Sequence, residues 1–254
     1  RMDYIMANPP FNLKGWRKED ELLKDARWSG YNVPRTSNAN YAWILHMISK
    51  LDVNHGVAGF LLANGALNDS DEYEIRKQLL ENDKVEAIIV LPRDMFYTTD
   101  ISVTLWIVNM NKKAGVVNGR QLRDRTHEIL FMDLRSWDEN IEEIEIDKGK
   151  KKKKTVLTDL QIAKVKEVYN NWQSSNTSLY SDIPEFCKAV KLDEEQGIRA
   201  KNYSLAPSKY IEFINHDTMI DVERLMGEIA QDIQVALIEE RETLRLLELA
   251  AKEV

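Results

Sequence analysis

The chain has 254 residues, 43% hydrophobic and 30% charged, which is enough apolar material for a large buried core. No apolar run approaches a membrane span, no signal-peptide pattern opens the sequence, and the single Cys187 excludes an internal disulfide. A reducing cytoplasm is therefore the expected setting, and four histidines with one cysteine leave no zinc spacing, so no metal is expected. A formal net charge of −7 argues against a protein that grips DNA unaided, because phosphate binding needs a basic face.

The most informative stretch comes first. Tyr4-Ile5-Met6-Ala7 is a short apolar run with strand character, and it leads directly into Asn8-Pro9-Pro10-Phe11. Neither proline carries an N–H and both fix φ, so strand pairing must stop there. The side-chain oxygen of Asn8 and the carbonyl of Pro9 can each accept a hydrogen bond from an amino group on a planar substrate. Two such bonds draw the nitrogen lone pair out of conjugation and make it nucleophilic towards an electrophilic methyl. Pro10 helps to hold both acceptors at fixed angles, and the Phe11 ring can cover one face of a base. A base treated in this way must first leave the duplex. The plain alternative is a rigid turn.

Asn12–Asn40 has no sustained period and reads as a long loop, studded with Trp16, Trp28 and Tyr31. Those rings either pack the loop down or offer stacking surfaces. Tyr41–Leu51 has helical spacing, Val57–Leu62 reads as a buried strand, Asp71–Asn82 as a second helix, and Val85–Leu91 as another buried strand closed by Pro92. Ile101–Met110 and Glu128–Leu134 read as further strands. This order describes an α/β layered sheet, with ligand loops at the carboxyl ends of parallel strands. Asn8, the Asn64-Gly65 turn and the Pro92–Thr99 loop should therefore cluster.

Lys148–Lys154 is lysine throughout except for Gly149, and reads as a solvated loop or, more sharply, a DNA-backbone contact. Thr155–Asn171 is expected to be helical, with Leu157, Leu160, Ile162, Val165 and Val168 buried. Ile198–Asn215 reads as irregular with a short strand. Thr218–Lys252 is a long helix with Asp217 placed as its cap, and its apolar stripe suits a subunit interface. Three regions follow: residues 1–135 as a catalytic half-domain, 136–216 as a connecting α+β region with the lysine-rich loop, and 217–254 as an assembly helix.

Taken in order, Asp3–Phe11, Val57–Leu67, Glu74–Leu80, Val85–Thr99, Ile101–Val108, Leu130–Asp133, Tyr203–Pro207 and Tyr210-Ile211 resemble the modification (methylation) subunit of type I restriction–modification systems. That family methylates the N6 amino group of adenine in DNA. The resemblance implies a Rossmann-like α/β methyltransferase sheet, here its carboxyl-terminal part, followed by a helical C-terminal region. It implies S-adenosyl-L-methionine as donor and double-stranded DNA with a flipped adenine as substrate. It also implies a specificity subunit, a second methylation subunit and a restriction subunit as partners, and no membrane. Asn8, Pro9, Pro10 and Phe11 would form the catalytic motif. Phe96 would supply a second aromatic contact to the base, with Met95 and Tyr97 as adjacent candidates.

The sequence departs from the family in two places. Ala63 stands where a proline usually precedes the Asn-Gly turn. The glycine-rich donor loop that normally precedes the Asn-Pro-Pro-Phe strand is absent, and Gly56 and Gly59 lead into a strand rather than a helix. The cofactor-binding residues are therefore unknown, apart from a possible edge contact at Asn8. The expectation is a fragment carrying the acceptor half of the active site, inactive by itself. Two rivals stand beside it, a protein glutamine amide-N methyltransferase and a non-catalytic assembly module.

Overall fold

The computed structural model describes residues 1–96, 100–147, 149–214 and 222–250. The chain divides into two units, Arg1–Glu212 and Phe213–Val254. In the first unit the order begins with β1 (Tyr4–Ala7), α1 (Asn40–Lys50), β2 (Val57–Ala63), α2 (Tyr73–Glu81), β3 (Val85–Val90) and β4 (Val103–Asn109). It continues with β5 (Gly115–Val117), β6 (Arg120–Leu122), β7 (Glu128–Asp133), β8 (Ile141–Asp147), β9 (Lys150–Thr155), α3 (Asp159–Gln173) and β10 (Cys187–Lys191). The second unit holds α4 (Val222–Ala250). The Asp217 cap read from the sequence lies outside the described residues.

The main sheet has six strands in the order β1-β2-β4-β3-β7-β10. It is mixed: β1–β2 and β3–β7 run parallel, while β2–β4, β3–β4 and β7–β10 run antiparallel. The departure from a wholly parallel sheet has a local cause. No crossover helix lies among the described residues between β3 and β4, and a parallel pair needs one. The registers Ala7↔Phe60, Ala63↔Val103 and Val90↔Thr104 put the carboxyl ends of β1, β2 and β3 on one rim.

Alternation along the strands divides the core into two layers. Phe60, Leu62, Ile88, Val90, Ile129 and Phe131 pack with α1 and α2 residues such as Ile44, Leu45, Ile75 and Leu79. On the other face Ala87, Ile89, Leu130 and Met132 pack with Val168 and Trp172 of α3. Every residue of β3 and of β7 is buried, as continuous apolar runs require in a sheet covered on both faces. The strand β1 differs: Ile5 and Ala7 pack on the first layer, but Tyr4 and Met6 are 68% and 92% exposed.

Three sequence readings need correction. Thr158 closes a capping box with Gln161, so α3 starts at Asp159 rather than Thr155. Its buried stripe is Val165, Val168, Tyr169 and Trp172, whereas Leu160 and Ile162 are exposed because they fall off that stripe. Within the lysine-rich run, Lys150–Lys154 form strand rather than loop: β9 pairs antiparallel with β8, setting Glu142, Glu143 and Glu145 opposite Lys154, Lys153 and Lys151. Opposite charges across a two-stranded ladder favour this pairing.

The strand expected in Ile198–Asn215 does not form among the described residues of that stretch. Asn202 and Tyr203 take left-handed φ values of 54° and 53°. The Tyr203 carbonyl accepts from Arg76 Nε at 2.9 Å, and Leu205 N donates to the Leu67 carbonyl at 2.9 Å. These bonds hold the Tyr203–Pro207 run against the turn that follows β2. The strand found nearby is β10, antiparallel to β7.

Candidate active site

The motif stands at the end of β1. Ala7 is the last residue paired with β2, and Pro9 and Pro10 then offer no N–H to continue the ladder. Asn8 is exposed and Pro9 half-buried. Among the described residues, no protein group bonds to the Asn8 side-chain amide or to the Pro9 carbonyl. Two acceptors without a described protein partner thus stand on a proline-stiffened segment at the rim.

A latch holds the chain directly after the motif. Asn12 sits at φ 53°, a conformation that asparagine tolerates better than most residues. Its backbone N donates to Asn40 Oδ1 at 3.0 Å, and its own Oδ1 accepts from Asn40 Nδ2 at 2.9 Å and from Asn38 Nδ2 at 3.2 Å. Asn40 opens α1 and is 2% exposed, so this amide pair is fixed by the helix. The sequence reading missed Asn38 and Asn40, because asparagines at a loop end look like ordinary turn residues.

The Asn64-Gly65 turn, at the end of β2, forms the second wall. Asn64 Nδ2 donates to Ser102 Oγ at 3.0 Å, Ser102 Oγ donates to the Leu91 carbonyl at 2.8 Å, and Thr104 Oγ1 donates to Asn64 Oδ1 at 2.6 Å. One asparagine thereby ties the end of β2 to both sides of the β3–β4 connection. Phe96, in that connection, meets Phe11 edge to face, with ring centroids 6.4 Å apart and an interplanar angle of 85°. Both rings are half-buried. Asn8–Phe11, Asn64-Gly65 and Phe96 are therefore brought together on one rim, as the strand-end argument requires. Tyr97, Thr98 and Thr99 lie outside the described residues.

The rings of the long loop are used for packing. Trp28 is 4% exposed and meets Trp16 edge to face at 6.0 Å, while Trp16 Nε1 donates to the Arg35 carbonyl at 2.8 Å. The loop is also anchored by Glu72, whose Oε1 accepts from Arg35 N at 2.9 Å. Burial pushes the Glu72 carboxyl up to about 7, against the opposing effect of the Arg35 bond. Asp3, at the far end of β1, is remote from the rim and accepts from His55 Nε2 at 2.8 Å.

Residues 1–218 match the family model described as N-6 DNA Methylase. The chain belongs to this family. Among N-6 DNA methylases it is 37% identical over 213 residues to the type I restriction enzyme HindI methylase subunit of Haemophilus influenzae, covering 83% of this chain and 42% of that protein. It is 32% identical over 248 residues to the type I restriction enzyme MjaIX methylase subunit of Methanocaldococcus jannaschii, covering 96% of this chain and 40% of that protein. A solved type I restriction-modification methyltransferase subunit from Streptococcus thermophilus superposes with a TM-score of 0.65 at 25% identity, covering 84% of this chain and 38% of that one. The chain thus spans about two fifths of the length of the curated relatives it matches. The family resemblance and the α/β methyltransferase fold read from the sequence both hold.

Proposed function

We propose that this chain carries the amine-holding half of an adenine-N6 DNA methyltransferase site, acting within a type I methylation subunit. The observation that supports it most is the rim itself. Asn8 Oδ1 and the Pro9 carbonyl, two acceptors that no described residue bonds to, share that rim with a paired Phe11 and Phe96.

The amino group of an extruded adenine donates one N–H to Asn8 Oδ1 and the other to the Pro9 carbonyl. Both bonds favour a pyramidal nitrogen over one conjugated with the ring, and so prepare its lone pair for attack. Pro9 and Pro10 keep the acceptors in place without reorganisation, which is what makes preorganised polar groups effective. Phe11 and Phe96 present apolar surface to the base, and base–aromatic stacking of this kind tolerates any base.

S-adenosyl-L-methionine supplies the electrophilic methyl in such a reaction. The glycines near β2 do not fit a cradle for it. A Cβ on Gly56 would lie 2.7 Å from the backbone N and O of Asp52, so that glycine serves close chain packing. Gly59 lies inside β2, opposite Ile107. No donor residues are assigned in this chain, and the acceptor residues named above are its share of the site.

DNA, a specificity subunit, a second methylation subunit and a restriction subunit are the proposed partners. The exposed stripe Met226, Ile229, Ile233 and Leu237 on α4, spaced three or four residues apart, is the proposed assembly surface. The test is transfer of radiolabelled methyl from S-adenosyl-L-methionine to duplex DNA by the intact protein with its partner subunits. Methylation of adenine that is lost in Asn8→Ala supports the reading. Transfer to a protein substrate instead, or undiminished DNA methylation by Asn8→Ala, would sink it.

A further inference from the structure

Among the described residues, the β8–β9 hairpin touches the rim through Lys152 and Thr155. Along β9, Lys151 and Lys153 are exposed, whereas Lys152 points to the other face and its side chain is only 19% exposed. Its ammonium donates to the Phe96 carbonyl at 3.2 Å and pairs with the Asp100 carboxylate. At the end of the same strand, Thr155 N donates to the Asp94 carbonyl at 3.0 Å. The hairpin therefore bonds to three residues of the β3–β4 connection, and one of them carries the ring that meets Phe11.

We propose that Lys152 is a positioning residue, holding the Phe96 backbone so that its ring meets Phe11 at the site of the extruded base. This rests on the function proposed above. The chemistry favours lysine here: a long stem reaches the loop from the neighbouring strand, and an ammonium can donate to a carbonyl and a carboxylate together. Asp100 is 63% exposed, so the ion pair alone contributes little, and the directional bond to the Phe96 carbonyl does most of the holding. The Lys152 ammonium beside Asp100 holds that carboxyl below its usual range. The alternation of faces sets Lys152 apart from Lys151, which pairs with Glu143 within the hairpin.

The test uses the intact methylation complex and a duplex with 2-aminopurine at the target adenine. Its fluorescence reports base extrusion, and single-turnover methylation of the unmodified duplex reports chemistry. Lys152→Met should lower both signals about tenfold, as expected for losing a hydrogen bond from a charged donor, with the DNA Kd changed less than twofold. Lys152→Arg, which keeps a donor, should restore most of both, and Lys151→Ala should leave both unchanged. Lys152→Gln, whose shorter stem cannot reach the Phe96 carbonyl, should act in the same direction as Lys152→Met, and it serves if the latter fails to fold.

Unchanged extrusion and rate in Lys152→Met would overturn the proposal. So would a weakened Kd with a reduced salt slope and normal extrusion, since that pattern marks a phosphate contact. If the unsubstituted complex methylates but Lys152→Met matches it, this inference alone fails. If the unsubstituted complex neither extrudes nor methylates adenine, the functional reading fails, and this one with it.

Discussion

At one end of the central sheet Glu86, Asn109, Arg125 and Gln173 are buried and bond to one another, and at the other end Asn8 is exposed and bonds to no described residue. Glu86, the bulged residue of β3, accepts from Arg125 Nε at 3.1 Å and Gln173 Nε2 at 3.0 Å through one oxygen, and from Asn109 Nδ2 at 2.6 Å through the other. Beside it Lys112, 2% exposed, donates to Asp83 at 2.6 Å and to the Val85 carbonyl at 2.9 Å. A buried charge is tolerable only when fully paired, so this end is architecture and joins β3, β4 and α3. At the rim the Asn8 side chain, which bonds to no described residue, is exposed and costs nothing in water, which leaves it available for a ligand. The difference shows where to expect loss of stability and where loss of activity.

Substitutions at the two ends should separate these outcomes. Glu86→Ala leaves Arg125 buried without its carboxylate and should cost about 3–5 kcal/mol in denaturant unfolding. An unchanged midpoint would break the contrast. Asn8→Ala should do the reverse, leaving the unfolding midpoint in place while lowering methyl transfer about 10²–10³-fold, by analogy with removing one preorganised polar group from an active site. Phe96→Ala should weaken methylation by the equivalent of about 1–3 kcal/mol, read as a slower single-turnover rate with intact folding.

Glu72 gives the smallest effect and sharpens the contrast, because it is buried yet anchors the loop next to the rim. Its folded value of about 7 lies above the ordinary 4.5. The folded protein therefore binds more protons than the unfolded chain between those values. Stability should fall as pH rises through that window and level off above it. Glu72→Gln, which can still accept from Arg35 N, should flatten the dependence and add about 1–2 kcal/mol at pH 8. Thermal melts from pH 5 to 8 would show it, and parallel curves for the two proteins would refute the assignment.

Much of this was legible in the chain. The continuous runs Val57–Leu62 and Val85–Leu91 marked buried strands, because burial on both faces leaves no room for alternation. The two prolines after Ala7 marked a strand end and two rigid acceptors. Ladder direction was less legible, since β4 runs antiparallel to both β2 and β3, with no crossover helix among the described residues that lead into it. The burial of α3 was also misjudged, because its stripe is set by Trp172 and Tyr169 rather than by the first leucine and isoleucine. The lysine run looked like a solvated loop because its meaning depends on the acidic strand that faces it.

By itself the sequence determined where the first strand stops and how its end is stiffened: Asn8, Pro9, Pro10 and Phe11 are contiguous, and their backbone constraints are local. It also determined which strand ends would share a rim, through the order of apolar runs and helices. Only the tertiary structure decided what fixes that rim. The Asn12–Asn40 latch joins residues 28 apart, Asn64–Ser102 residues 38 apart, and Lys152–Phe96 residues 56 apart. Such contacts leave no periodic trace in the chain, because each is one or two hydrogen bonds between segments that only folding brings together.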